Sequence, residues 1–297
     1  MAVSRPADSR FLNGYLFGLA SAMTYGTITV LGKVALREAD PLAVASLTYL
    51  IGSLVLFPYR PKELPGKDGV VPLLAAALLG GAAAPVLFFT GLRLTTAADA
   101  SLLGNAELLF TVAVAMLFFG ERLKGRQYLA ALLVVFGVFA VTVDLGARGP
   151  GMARYLEGNA LVLAATFAWG LDNNVSRIAS QRMDPTVLAR YKNLIGGATV
   201  AALLFLTGRG VGVPLPALPY VAALGGVAVG LSLALLMNSL RRIGAIRAVL
   251  VFSTASVFGL VLAVALLNES VTAVQVGGAL AMFAGLYAIQ KSETPKG

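Results

Sequence analysis

Apolar runs of about twenty residues follow one another along the whole chain, separated by short turns rich in proline, glycine and charge. A helix needs roughly 20 apolar residues to cross a bilayer. Ten runs reach or approach that length: 11–36, 41–58, 70–92, 97–119, 124–144, 157–181, 185–208, 217–240, 245–267 and 271–290. Connections such as Arg93-Leu94-Thr95-Thr96 and Leu267-Asn268-Glu269-Ser270 are short enough to force antiparallel neighbours. Pro41 and Pro185 open runs, where a missing N–H costs nothing. Hydrocarbon cannot satisfy an exposed backbone, so the expected fold is an all-α integral membrane protein of ten transmembrane helices.

Composition agrees. Apolar residues make up 58% and charged residues 12% of the 297, and mean hydropathy is +0.83. A soluble domain carries about a quarter charged residues. The chain has no histidine and no cysteine. That excludes Ser-His catalysis, histidine-bearing zinc sites, histidine proton relays and disulfides. No Walker pattern is present, so no ATP drive and no cofactor is expected. The net charge of +9 is not a nucleic-acid footprint, because no basic domain accompanies it. Lys and Arg divide 17 against 6 between inside and outside segments, run ends included, which places both termini in the cytoplasm. Met1–Arg10 is short and polar, so the first apolar run reads as a span and not as a cleavable signal.

The chain also matches itself. Residues 14–52 align with 158–196 at an offset of 144, with eleven identities and no gap, including Gly26/Gly170 and Asp40-Pro41/Asp184-Pro185. Residues 97–137 align with 245–285 at an offset of 148, pairing Phe110/Phe258, Glu121/Glu269 and Gln127/Gln275. Each half then holds five helices. Five is odd, so the second half enters the membrane from the opposite side, as two inverted repeats. The expected division is 1–147, a linker at 148–156, and 157–297. Inverted repeats imply alternating access around a central cavity near the midplane.

Gly120-Glu121-Arg122-Leu123 after the fourth run and Asn268-Glu269-Ser270-Val271 after the ninth resemble the G-E-x-L-type turn of the drug/metabolite transporter superfamily, in its ten-helix EamA-type branch. Glu107-Leu108-Leu109-Phe110 resembles that family's E-P-x-F, with Leu108 in place of the proline and Ser256 at the matching point of the second half. A proline-kink gate is therefore not expected here. The resemblance spans nearly the whole chain. It implies a multi-pass protein of the bacterial inner membrane that exports amino acids, related metabolites or toxic compounds, with the aromatic amino-acid exporters as the nearest branch.

Candidate site residues follow from polarity at membrane depth, which is costly and marks function by default. Glu107 lies within the fourth run as a group for a substrate amine or a coupling proton; the plainer reading is a helix-packing carboxyl. Asp172 and Asn173 form a polar patch in the sixth run, against the alternative of an interhelical clamp. Trp169 and its repeat mate Tyr25 offer aromatic faces for stacking. Asn105, Asn238, Ser253 and Thr254 are candidate cavity lining, although Ser and Thr often bond back to their own helix. Lys33 and its mate Arg177 are candidate gating residues, or simply snorkel to the interface. Glu121 and Glu269 read as caps at the start of the helix that follows each. Paired glycines such as Gly80-Gly81 and Gly225-Gly226 read as close-packing positions.

The expectation is a secondary transporter that exports small metabolites, amino acids first among them and aromatic ones included, and not an enzyme. Drug or nucleobase efflux is the alternative. A channel would show charge rings or a filter loop, and an intramembrane enzyme a catalytic dyad. The expected partners are a small-molecule substrate and the lipid bilayer, with a monomer sufficient and no metal.

Overall fold

The computed structural model describes residues 6–59, 66–120, 125–142 and 152–293, whose regular elements are all helices, with no strand among them. The helices are α1 (Pro6–Ala35), α2 (Pro41–Val55), α3 (Lys67–Ala76), α4 (Ala84–Leu94), α5 (Ala97–Leu103), α6 (Ala106–Phe119), α7 (Gly125–Thr142), α8 (Met152–Ala179), α9 (Pro185–Leu206), α10 (Leu218–Ala223), α11 (Ser232–Ile243), α12 (Ala245–Phe252), α13 (Ala255–Leu267) and α14 (Ala273–Glu293). Four stretches are long and apolar enough to cross a bilayer: Leu12–Ala35, Asp68–Leu94, Ala97–Phe118 and Leu215–Ile243. Shorter apolar helices accompany them.

Local chemistry sets the helix ends. Asp40 and Asp184 cap α2 and α9, each accepting from the backbone N–H two residues on, with proline at the first helical position. The left-handed C-caps Gly120 (φ 67°) and Asn268 (φ 54°) end α6 and α13; such positions favour Gly and, next, Asn. The structure departs from the expected boundaries at several points, beginning with α1, which starts at Pro6 and not at 11. The helix of the sixth expected run starts at Met152, so the later part of the expected linker is helix, in keeping with good helix formers such as Met152, Ala153 and Arg154. The fourth and ninth expected runs are each two helices, broken at Gly104-Asn105 and at Ser253-Thr254. Between α3 and α4, and between α10 and α11, the chain widens into π-helical turns over Ala77–Ala83 and Leu224–Leu231. Pro85 explains the first in part, since its ring clashes with the carbonyl four residues back.

Small residues bring the helices close, as packing in lipid requires. A Cβ on Gly196 of α9 would lie 2.3 Å from the backbone of Gly81, and one on Gly137 of α7 would lie 2.4 Å from the Gly278 carbonyl of α14. The main packed pairs are α7 with α14, α4 with α8, α1 with α11 and α13, α2 with α9, and α6 with α8. Apolar side chains also cover the outside. Leu117, Phe118, Phe205 and Leu206 are each at least 74% exposed, an arrangement suited to lipid and not to water.

Candidate functional site

The helix breaks place side chains around an internal cavity of about 400 Å³. Because α6 restarts after Gly104-Asn105, Glu107 sits in its first turn, where the positive end of the helix dipole favours a carboxylate. Asn173 of α8 donates from Nδ2 to Glu107 Oε1 at 2.8 Å and to Thr111 Oγ1 at 3.1 Å. Thr111 donates in turn to the Glu107 carbonyl. Glu107, Thr111 and Asn173 all line the cavity.

A second polar group lies where α12 breaks into α13. Asn105 Nδ2 donates to Ser256 Oγ at 2.9 Å, and Ser256 donates to the Ser253 carbonyl at 3.0 Å. Ser101 donates to the Ala97 carbonyl and pairs with Thr29 at 2.8 Å. The walls between are aromatic. Tyr25 packs on Phe252 with ring centres 5.0 Å apart, and Phe88 on Trp169 at 5.4 Å. The Trp169 indole N–H is held by the Gly80 carbonyl at 3.2 Å.

Of the residues singled out from sequence, Tyr25, Asn105, Glu107, Trp169, Asn173 and Ser253 line this cavity. Asp172, Asn238 and Thr254 are not among its lining residues. Asp172 is 1% exposed and turned toward α9, where Lys192 Nζ meets its Oδ2 at 2.6 Å and Ser176 donates to its Oδ1. Asn238 accepts from Arg242 one turn on, at 2.9 Å. Thr254 bonds back to the Val251 carbonyl at the helix break. Sequence reasoning passed over Thr29, Phe88, Ser101, Thr111 and Phe252. For one of them the repeat carried a signal, since Thr29 is the mate of Asn173.

Lys33 lies elsewhere. Its Nζ donates to the Leu92 carbonyl at 2.9 Å and to that of Thr95, orphan acceptors at the end of α4. It lines a second hollow of about 430 Å³ with Arg93, Thr96, Arg154 and Glu269. Glu269 does not serve the helix that follows it. Its two carboxylate oxygens accept from the Ala97 and Ala98 N–H groups at 2.9 and 2.8 Å, capping α5 of the other half. Beside it Asp99 is fully buried and accepts from Gln275, Asn159 and Thr95. Arg177 is exposed in the last turn of α8 and lines neither hollow. Glu121, Arg122 and Leu123 lie outside the described residues.

Comparison with known proteins bears on this arrangement. The model of the EamA-like transporter family matches residues 12–143 and again 156–290. A protein of Methanothermobacter thermautotrophicus named "Uncharacterized transporter" is 30% identical, over 95% of this chain and 87% of its own length. An Escherichia coli protein named "Probable amino-acid metabolite efflux pump" is 28% identical, over 92% of this chain and 93% of its own. A solved crystal structure shares the fold with a TM-score of 0.64 at 20% identity, covering 95% of this chain and 99% of that one. These matches identify a transporter and not an enzyme, and the chain belongs to the EamA-like transporter family.

Proposed function

We propose that this protein is a secondary carrier that exports small amphipathic metabolites bearing an amino group, amino acids and their derivatives first among them and aromatic ones included. It does so by alternating access across the bacterial inner membrane, through ten spans in two inverted halves with both termini in the cytoplasm. The name of the Escherichia coli relative, a pump for amino-acid metabolites, agrees with this substrate class.

One observation carries the reading: the cavity lining pairs across the internal repeat. Tyr25 and Trp169, and Thr29 and Asn173, are mates at the offset of 144; Asn105 and Ser253, and Leu108 and Ser256, are mates at 148. A cavity built on the pseudo-axis can open to either side by exchanging the conformations of the two halves.

The packing supports alternating access through its departure from that symmetry. The packed pair α1–α11 has its counterpart in α8–α4, and α1–α13 in α8–α6. However, α5 packs firmly on α13 and on α1, whereas its counterpart α12 meets α6 and α8 at most marginally among the described residues. The face closed by α5 is the one where Glu269 caps α5 and Lys33 holds the end of α4. In the proposed orientation that is the outer face, so this conformation is sealed outside and loosened toward the cytoplasm.

The test is uptake of radiolabelled amino acids and amines into proteoliposomes of the purified chain, with and without a pH gradient. Saturable flux with counterflow supports the carrier. Flux that never saturates refutes it.

A further inference from the structure

Glu107 has no counterpart of its own or of opposite charge in the cavity. Its repeat mate is Ala255, and no Lys or Arg is among the lining residues described. Lys192 of α9 is taken by Asp172 at 2.6 Å. The polar group opposite Glu107 is largely satisfied within itself: the Ser256 hydroxyl accepts from Asn105 and donates to the Ser253 carbonyl, and the Ser101 hydroxyl donates to Ala97. The start of α13 contributes at most about half a positive charge, less than the full negative charge of an ionised Glu107. A substrate carboxylate would thus enter a cavity that carries an acid and offers it no cation. The aromatic walls add the negative faces of their rings, which attract cations.

We propose that the cavity selects organic monocations: amines with a compact aromatic or branched apolar body and no free carboxylate, in preference to zwitterionic amino acids. This rests on the carrier reading and reorders its amino-bearing substrates, placing derivatives whose carboxylate is absent or masked ahead of free amino acids. Glu107 is the residue that sets the charge preference, by pairing with the ammonium group. Asn173 positions its carboxylate through the 2.8 Å hydrogen bond, and Tyr25, Phe252, Phe88 and Trp169 hold the apolar body. A protonated Glu107 would lose the pair, so the same group can release the substrate by exchange for a proton.

The experiment is a charge series on one body: phenethylamine, phenylalanine and 3-phenylpropanoate. The chain has one tryptophan, and Trp169 lines the cavity, so binding to the detergent-purified full chain reads directly in its fluorescence. The expected order of affinity is cation over zwitterion over anion, with at least a tenfold step from phenethylamine to phenylalanine. Glu107→Gln should shrink that step to about threefold or less while leaving the fluorescence of the free protein unchanged. Counterflow in proteoliposomes with trimethyl(2-phenylethyl)ammonium, which does not leak as a free base, should be saturable and fall at least tenfold in Glu107→Gln. Phenylalanine binding as tightly as phenethylamine, or a step that survives Glu107→Gln, overturns the charge preference and leaves the carrier standing. A preserved binding order with no flux of any member overturns the carrier reading and leaves the preference in place.

Discussion

Lys192 Nζ lies 2.6 Å from Asp172 Oδ2, joining α9 to α8 directly beside the cavity that Asn173 lines. The two partners are unequally covered. The Asp172 side chain is 2% exposed and that of Lys192 is 20% exposed. Removing one partner of a buried pair leaves the other charge uncompensated, at about 3–5 kcal/mol, but a lysine with an open end can turn its head toward water. Lys192→Met should therefore cost about 3–5 kcal/mol and Asp172→Asn about 1 kcal/mol, with Asp172→Asn/Lys192→Met recovering part of the first loss. Thermal unfolding in detergent measures all three. Equal losses in the two single variants would show that burial is not what distinguishes the partners.

Glycine substitutions should separate packing from bending. A Cβ on Gly81 would stand 2.6 Å from the Lys192 carbonyl and 3.1 Å from Gly196 Cα, both backbone atoms that cannot turn aside. Gly81→Ala should cost about 1–3 kcal/mol through overpacking. Gly226 lies in the second π-helical turn with nothing within 4 Å of a Cβ. Gly226→Ala should leave the melting temperature unchanged or raise it, by up to about 1 kcal/mol of stability. Transport lost in Gly226→Ala without loss of stability would make that turn a hinge.

The Glu269 cap predicts a gate phenotype. Each of its oxygens accepts a backbone N–H of α5, and charge-assisted bonds of this kind are about twice as strong as neutral ones. Glu269→Ala should loosen α5 from α13 and admit reagents from the side proposed as outer. The chain has no cysteine, so Ser253→Cys can be labelled without background. A membrane-impermeant maleimide added outside should react at least fivefold faster at that position in the Glu269→Ala background. An unchanged rate would leave Glu269 as a cap with no part in gating.

At the other face, acid acts through Asp184. Burial pushes the Asp184 carboxyl up, but hydrogen bonds from the Thr186 backbone N–H, the Tyr59 hydroxyl and the Thr186 side chain outweigh it and hold the group below its ordinary value. A carboxyl depressed on folding contributes stability that is fully present above its unfolded pKa of about 3.9 and is lost as pH falls through the lower folded value. Melting temperature should thus lose nothing to this group from neutral pH down to about 4 and decline below it. Asp184→Ala, which removes the α9 cap, should cost about 1 kcal/mol at neutral pH and flatten the acid decline. An acid limb identical in both proteins would assign the decline to other carboxyls.

Much of this protein was legible in the chain by itself. Apolar run length marked the helices, because lipid leaves the backbone no other partner. The Asp-Pro pairs at 40–41 and 184–185 marked two helix starts, because a cap bonds to residues two positions away and needs nothing distant. The self-match at 144 marked Tyr25 and Trp169 as a pair, and the cost of polarity at depth marked Glu107 and Asn173; all four line the cavity. What only the tertiary structure decided is where neighbouring polar residues point. Asp172 and Asn173 differ by about 100° around one helix, and both faces of that helix are covered, one by the π-helical turn at Gly80 and the other by the cavity. Composition cannot choose between two buried faces. The choice rests on Lys192, 20 residues away, and on Thr111 and Glu107, 62 and 66 residues away. Glu269 shows the same limit: its partners at Ala97 and Ala98 lie 172 and 171 residues back. A local rule assigned it to the next helix. Packing of α5 against α13 brought it to another.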